Sequence, residues 1–437
     1  MLSCSSGRLL LPRLGVFAIG VLLLAGCAAG APDNATKLAA NASGGAGAAA
    51  GVAAVPAVTG TSAVAATPSA SAATSDKKTP QTKTSTAAPV ASGSTTRAAA
   101  SHTPANVSST VAHPAAVSTA SGIVYGYAAP ELASWSSAEQ LQQLAAMKET
   151  GVTSVRVDTD WSAIQPTGAA SYDWTSLDQE MASIQQAGLS ADLIIDGCPS
   201  WAAASGTAGS DAATPASAAT FATWAAAVAK RYGGEGARYF EIWNEPNNPE
   251  FWAPKPDPAA YTADLKAAYA AIKAVDPTAI VISGGLAPEV DSSTSYSQLT
   301  FLQDMYADGA AGSFDGVGYH PYSYPVDPDT ISSGSGWSEM YQSSPSIRSI
   351  MVANGDSAKK VWITEFGAPT SGTTANVSTA DQSTELVQAI TQVKTLSWVA
   401  SFYIYTWEDV SGQGFGVLAA DGTQKPAYSG VVSALTQ

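Results

Sequence analysis

Residues 239–247 read Tyr-Phe-Glu-Ile-Trp-Asn-Glu-Pro-Asn. The first five are aromatic or β-branched apart from Glu241, and a helical run at 216–232 precedes them. The pattern predicts a buried strand emerging into a loop, with Asn244 and Glu245 at its C-terminal mouth. Pro246 cannot donate to a sheet ladder and biases Glu245 toward an extended backbone, so pairing stops there and a side chain can turn inward. Taken alone, Asn-Glu-Pro at a strand end reads as a capped turn more readily than as chemistry. A second carboxylate changes that balance: Glu365 closes the apolar run Val361-Trp362-Ile363-Thr364 and is followed by Phe366-Gly367.

Outward from these two strands, residues 122–437 alternate strand and helix signals eight times. Strands are expected at 123–127, 154–158, 191–195, 239–243, 279–283, 316–319, 361–365 and 401–405. Amphipathic helices are expected at 137–150, 175–187, 216–232, 258–275, 346–353 and 379–395. Several open on a Ser, Thr or Asp cap or on Pro in the first turn, and Gly151 and Gly188 stand where helix stops belong. Buried, non-alternating strands separated by helices imply a parallel sheet, and eight repeats of the unit imply a closed (β/α)8 barrel of the TIM type. A doubly wound open sheet is the alternative, but no Gly-rich phosphate loop follows the first strand.

In such a barrel the chemistry sits where the strands end at their C-termini. The second strand carries Arg156 and Asp158 with Asp160-Trp161 beyond, and the third runs on to Pro199-Ser200-Trp201. The fourth ends at Asn244-Glu245, the sixth at Tyr319-His320-Pro321-Tyr322, the seventh at Glu365 and the eighth at Thr406-Trp407-Glu408-Asp409. Each has a mundane reading: Arg156 as a structural ion-pair partner, His320 as a satisfied core imidazole, Trp161 and Trp407 as packing. Their collection at one rim favours a site.

Residues 1–121 do not read as globular. Arg8 and Arg13 frame the start of an uncharged apolar run that reaches 26, too short to span a bilayer comfortably, and it ends Leu24-Ala25-Gly26-Cys27. A signal peptide over 1–26 is expected, and the ending resembles a bacterial lipobox, whose cysteine becomes the lipidated first residue. Lipidation at Cys27 implies export and anchoring to the outer face of the bacterial cytoplasmic membrane. Cleavage after Ala29-Gly30-Ala31, giving a secreted protein, is the alternative, although it leaves Pro32 at the new terminus. Residues 27–121 are Ala, Ser, Thr, Gly and Pro with almost no aromatic side chains, so a disordered tether is expected, with an r.m.s. span of roughly 55 Å.

Only Cys198 and His320 of their kinds remain in residues 122–437, so neither a disulfide nor a Cys/His zinc cluster can be assembled there. A carboxylate-only calcium site stays open. The same stretch holds 13 Lys and Arg against 33 Asp and Glu, which argues against nucleic acid or an anionic membrane face as ligand.

The set Arg156, Asn244-Glu245-Pro246, His320-Pro321-Tyr322, Glu365-Phe366-Gly367 and Trp407 resembles clan A of the retaining glycoside hydrolases. Adding Arg156 to Trp161, Ile164-Gln165-Pro166, Tyr172-Asp173-Trp174 and Pro199-Ser200-Trp201, the pattern is most similar to family 39 members, with family 5 cellulase-like enzymes second. Gln165 stands where many relatives carry glutamate. The resemblance covers essentially all of 122–437 and implies cleavage of O-glycosidic bonds in a poly- or oligosaccharide by double displacement. Glu245 would be the general acid and base and Glu365 the nucleophile. Arg156 would be the cation for Glu365, Asn244 a donor to the sugar 2-hydroxyl, and His320 and Tyr322 further binding residues. Trp407 would stack under the sugar at the cleavage point, with Trp161, Trp201 and Trp252 extending the platform. The bond between Trp407 and Glu408 is the expected cis peptide. The mechanism needs no cofactor or metal, and a monomer is expected. Two alternatives stay open, a transglycosylase on the same machinery and a non-catalytic glycan-binding envelope lipoprotein.

Overall fold

The computed structural model describes residues 122–410 and 412–437. The signal peptide, the tether and Cys27 lie outside these residues. Eight strands, Val124–Ala128 (β1), Ser154–Asp160 (β2), Ser190–Asp196 (β3), Ala237–Asn244 (β4), Ile280–Gly285 (β5), Gly316–Tyr319 (β6), Lys360–Phe366 (β7) and Val399–Tyr405 (β8), form one closed parallel barrel. Gly126 of β1 lies opposite both Ser154 of β2 and Tyr403 of β8, which closes the cylinder. Every strand starts and ends within two residues of its expected position.

The helices are Ser137–Glu149 (α1), Trp161–Ile164 (α2), Thr175–Ala187 (α3), Ala218–Tyr232 (α4), Pro258–Val275 (α5), Gln298–Ala307 (α6), Gly336–Tyr341 (α7), Ile347–Ala353 (α8), Thr379–Val393 (α9) and Pro426–Thr436 (α10). Local chemistry explains their ends. Ser136 and Glu139 form a reciprocal capping box on α1, Asp257 caps α5 ahead of Pro258, and Gly188 ends α3 with φ 71. Four helices were not expected. α2 and α7 are too short to show a period, α6 follows a Ser-rich loop, and α10 begins at Pro426 in a run of small residues. Among the described residues no helix is long and apolar enough to cross a membrane.

The core has two parts because each strand shows one face to the helices and one to the barrel axis. Outward residues such as Val155, Leu193, Phe240 and Ile363 pack with Leu144, Met147, Phe221 and Leu265 from the helices. Each such buried side chain contributes roughly 1.5–3 kcal/mol relative to exposure. Inside, Tyr239 and Trp362 meet at 4.9 Å across the axis, and Ser154 bonds the Tyr403 hydroxyl at 2.9 Å. Above that layer the interior turns polar, and Arg156 reaches from β2 to Glu241 on β4.

Candidate active site

The pleat of β4 breaks where the sequence becomes polar. Ile242 lies opposite Ser283 and Asn244 opposite Gly285, with Trp243 skipped. Trp243 has φ 73 and Glu245 φ 43, both in the left-handed region. A non-glycine residue there costs about 1–3 kcal/mol and persists only where its surroundings hold it. Trp243 is held between Phe221 and Trp252, with its Nε1 donating to the Phe251 carbonyl at 2.9 Å. In a regular strand Trp243 would share the inward face of Glu241; the reversal hands that face to Asn244, and Glu245 follows. The extended Glu245 expected ahead of Pro246 is therefore not what forms. Its amide instead donates to the Gly285 carbonyl at 3.1 Å, and the chain turns so that the Asn248 amide donates to the Glu245 carbonyl at 2.9 Å.

Arg156 organises the floor of the site. Its Nε donates to Glu241 at 2.6 Å, Nη1 to Glu365 Oε1 at 2.5 Å, and Nη2 to Asn244 Oδ1 at 2.8 Å. Only a guanidinium offers a rigid fork that can serve three acceptors at once. The Tyr322 hydroxyl donates to Glu365 Oε2 at 2.7 Å, so both oxygens of this carboxylate are held. Glu245 has different company. Asn248 Nδ2 donates to its Oε2 at 2.9 Å, and His320 Nδ1 lies 3.0 Å from its Oε1. One carboxyl thus bonds a cation, the other an amide and an imidazole whose Nδ1 also stands 3.6 Å from Glu365 Oε2.

Burial pushes the Glu245 carboxyl up to about 8, against the opposing pull of the Asn248 bond and of Arg156. It also lowers the His320 imidazole to about 4, leaving it neutral at pH 7. Burial alone would weaken the charge of Arg156, but Glu241 and Glu365 outweigh it and hold its pKa well above the ordinary value. One oxygen of Glu245, one of Glu365 and a nitrogen of His320 lie within 4.8 Å of one another, a grouping that could in principle hold a cation. The guanidinium already bonded to Glu365 supplies that positive charge, so this donor set fits a two-carboxylate site better than a metal centre.

Residues 115–403 match the model of the cellulase family, glycosyl hydrolase family 5. The chain belongs to that family. No curated protein matches the sequence. Among solved structures, a family 39 glycoside hydrolase from Bacteroides cellulosilyticus is 20% identical with a TM-score of 0.54, over 72% of this chain and 64% of that one. A monomeric beta-xylosidase from Caulobacter crescentus is 22% identical with a TM-score of 0.52, over 71% and 67% of the two chains. A member of family 5 subfamily 18 from Streptomyces cattleya, solved in complex with GlcNAc, is 15% identical with a TM-score of 0.53, over 72% and 80%. At these identities the structures share the fold. The clan read from the sequence holds, and of the two families considered the match is to family 5.

The fold of this family 5 member brings Arg156, Asn244, Glu245, His320, Tyr322 and Glu365 together, as expected. It does not bring the tryptophans with them. Trp407 is 1% exposed and lies edge-on to Tyr127, with its Nε1 donating to Gln143 of α1 at 2.9 Å. β8 has ended at Tyr405, so Trp407 is already in the following loop and turns outward to the helices. Trp161 is wholly buried, stacked on Trp224 of α4 at 5.9 Å and bonded through Nε1 to Gln165. Trp252 is buried against Trp243 and Tyr261. Trp201 is half-buried and lies edge-on to Trp161, its Nε1 donating to the Gln165 carbonyl at 2.7 Å. Trp407, Trp161 and Trp252 of the expected aromatic platform are thus packing, while Trp201 keeps part of its ring exposed.

The rings beside the carboxylates are Tyr322, Tyr324, Tyr405 and Phe415, which form a separate cluster at the rim. The cis peptide lies between Tyr405 and Thr406 rather than after Trp407. His320, expected on the substrate, is fully buried and spans Glu245 and Thr364, because those two side chains close over it. Glu241, the single charge of the run 239–243, joins the site without having been expected there. Asn248 and Tyr405 carried no comparable signal.

Proposed function

We propose that residues 122–437 hydrolyse an O-glycosidic bond with retention of anomeric configuration, through Glu365 as nucleophile and Glu245 as acid and base. The observation that carries this reading is the pair of unlike carboxyls with oxygens within 4.8 Å. Retention needs a separation of about 5–5.5 Å, whereas an inverting pair stands roughly 6.5–9.5 Å apart to admit water. The Arg156 guanidinium bonded to Glu365 suits a nucleophile, and burial without a bonded cation suits Glu245 to the role of proton donor. In the first step Glu365 Oε bonds the anomeric carbon as the C–O bond to the leaving group breaks and Glu245 protonates the departing oxygen. In the second, Glu245 takes a proton from water, whose oxygen displaces Glu365. Asn244 accepts from Arg156 through Oδ1, which leaves its NH2 as donor for a sugar hydroxyl. Glu250 and Glu289 act on Glu245, and Glu131 and Asp158 on the neighbouring Tyr405, an acidic surrounding that favours neutral sugars over uronates.

A panel of aryl glycosides and neutral or anionic glycans tests the assignment, with the anomer of the first product read by proton NMR. Glu245→Gln is expected to slow substrates with poor leaving groups by roughly 10²- to 10⁴-fold while sparing activated ones. The wild-type kcat/KM should fall on the alkaline side near pH 8 as Glu245 loses its proton, a limb the variant should lack. Azide should restore turnover of Glu245→Ala with retained configuration. Inverted product from the wild type would exclude double displacement.

The N-terminal residues support a further part of the reading, a lipid anchor at Cys27 that keeps the enzyme on the outer face of the producing cell's membrane. Cys27→Ala is expected to move activity from the membrane fraction to the medium. Equal release by both forms would leave secretion as the better account.

A further inference from the structure

Thr364 stands between two groups that compete for one proton. Its hydroxyl is 3.0 Å from Glu241 Oε1 and 3.0 Å from His320 Nε2. Glu241 accepts at both oxygens, Oε1 from the Gly285 amide at 2.7 Å and Oε2 from Nε of its ion-pair partner Arg156 at 2.6 Å. Were the Thr364 proton directed to His320, two oxygens without a hydrogen between them would face each other at 3.0 Å. The proton therefore goes to Glu241, and Thr364 accepts from His320 Nε2–H. A neutral imidazole protonated at Nε2 has a bare Nδ1. That nitrogen lies 3.0 Å from Glu245 Oε1, so the hydrogen between them must be brought by Glu245.

We propose that Thr364 and Glu241 are positioning residues that fix His320 in its Nε2–H tautomer, so that Nδ1 receives the hydrogen bond of a protonated Glu245 and holds it as the acid. The inference rests on the reading of Glu245 as the proton donor and adds what keeps it ready. Gly285 supplies separate support. A Cβ there would fall 2.1 Å from His320 Nε2 and 2.6 Å from Thr364 Oγ1, so any larger residue would wedge the bridge apart.

Burial acts in the same direction, raising Glu245 and lowering His320, so the proton they share resides on the carboxyl. Of the charges facing Glu245, Arg156 favours its ionised form, while Glu250 and Glu241 oppose it, and Glu289 also lies within its range. His320 feels Glu365 and Glu241 against Arg156. The phenols of Tyr322, Tyr324 and Tyr405 have their pKa values raised, first by burial, and stay neutral.

The test uses the full chain with His102→Gln and His113→Gln, so that His320 is its only imidazole. With 15N-histidine the spectrum should show a protonated Nε2 and a bare Nδ1. Thr364→Val should lose this form, because Nδ1–H can then donate to the Glu245 carboxylate. The alkaline limb of kcat/KM should move down by about one to two pH units, the range of one hydrogen bond to a charged group. Thr364→Ser should restore both signals. A protonated Nδ1 in the wild type overturns the proposal, as does a Thr364→Val variant with unchanged tautomer and unchanged limb. If no glycoside is turned over, the glycosidase reading fails by itself. The 13C titration of the Glu245 carboxyl, identified by its loss in Glu245→Gln, still decides whether Thr364→Val lowers its proton affinity.

Discussion

Glu365→Ala is expected to lower kcat/KM by roughly 10⁵-fold or more, the order of loss when a nucleophile is taken from a set of groups that act as a unit. Both oxygens of this carboxylate are spoken for, Oε1 by Arg156 at 2.5 Å and Oε2 by Tyr322 at 2.7 Å, so its orientation is fixed before substrate arrives. Orientation of that kind is what turns a weak carboxylate into an effective attacking group. Removal leaves the anomeric carbon without a partner on that face, and the proton from Glu245 cannot compensate. A small anion such as azide should partly restore turnover by entering the vacated space, and its product should have inverted configuration, opposite to that expected with Glu245→Ala. Turnover within tenfold of wild type, from protein with an unchanged circular dichroism spectrum, would remove Glu365 from the reaction.

Arg156→Met is expected to cost about 3–5 kcal/mol of stability, the range for leaving a buried charge without its partner. Arg156 is 3% exposed and bonds Glu241, Glu365 and Asn244, so one substitution strands two carboxylates and an amide oxygen. Arg156→Lys keeps the charge but not the planar fork, and should recover part of the stability with little of the activity. Urea denaturation checks the stability of both variants, and a Met variant within about 1 kcal/mol of wild type would contradict the expected loss.

The barrel was legible because its signal repeats. Each unit pairs a short apolar run with an amphipathic helix, and an error of two residues at one strand changes nothing in the count. Glu245 and Glu365 were legible because strand ends are where a closed barrel concentrates chemistry. The facing of aromatic rings was harder to read. Tyr405 and Trp407 are two residues apart, so a period of two assigns them the same face, and only the end of β8 at Tyr405 separates them. Trp161 failed for a related reason: it opens the short helix α2, and a helix start turns its side chain toward α4 rather than along β2. The partners of His320 were out of reach because Thr364 and Glu245 lie 44 and 75 residues away and meet it only once the cylinder closes.

The two left-handed residues of β4 bear on how portable this site is. A pleated strand offers the axis one side chain in two, about 6.6 Å apart along the chain. With φ reversed at Trp243 and Glu245, β4 delivers Asn244 and Glu245 to the same side in succession. A proton donor and an amide that can reach a neighbouring hydroxyl are thereby fixed by one stretch of backbone, with no second loop to be placed relative to the first. Grafting Asn-Glu-Pro onto the end of another barrel's strand would copy the letters but aim only one of the two groups inward. The unit that must be transplanted is the dipeptide together with the tryptophan clamp that reverses the strand.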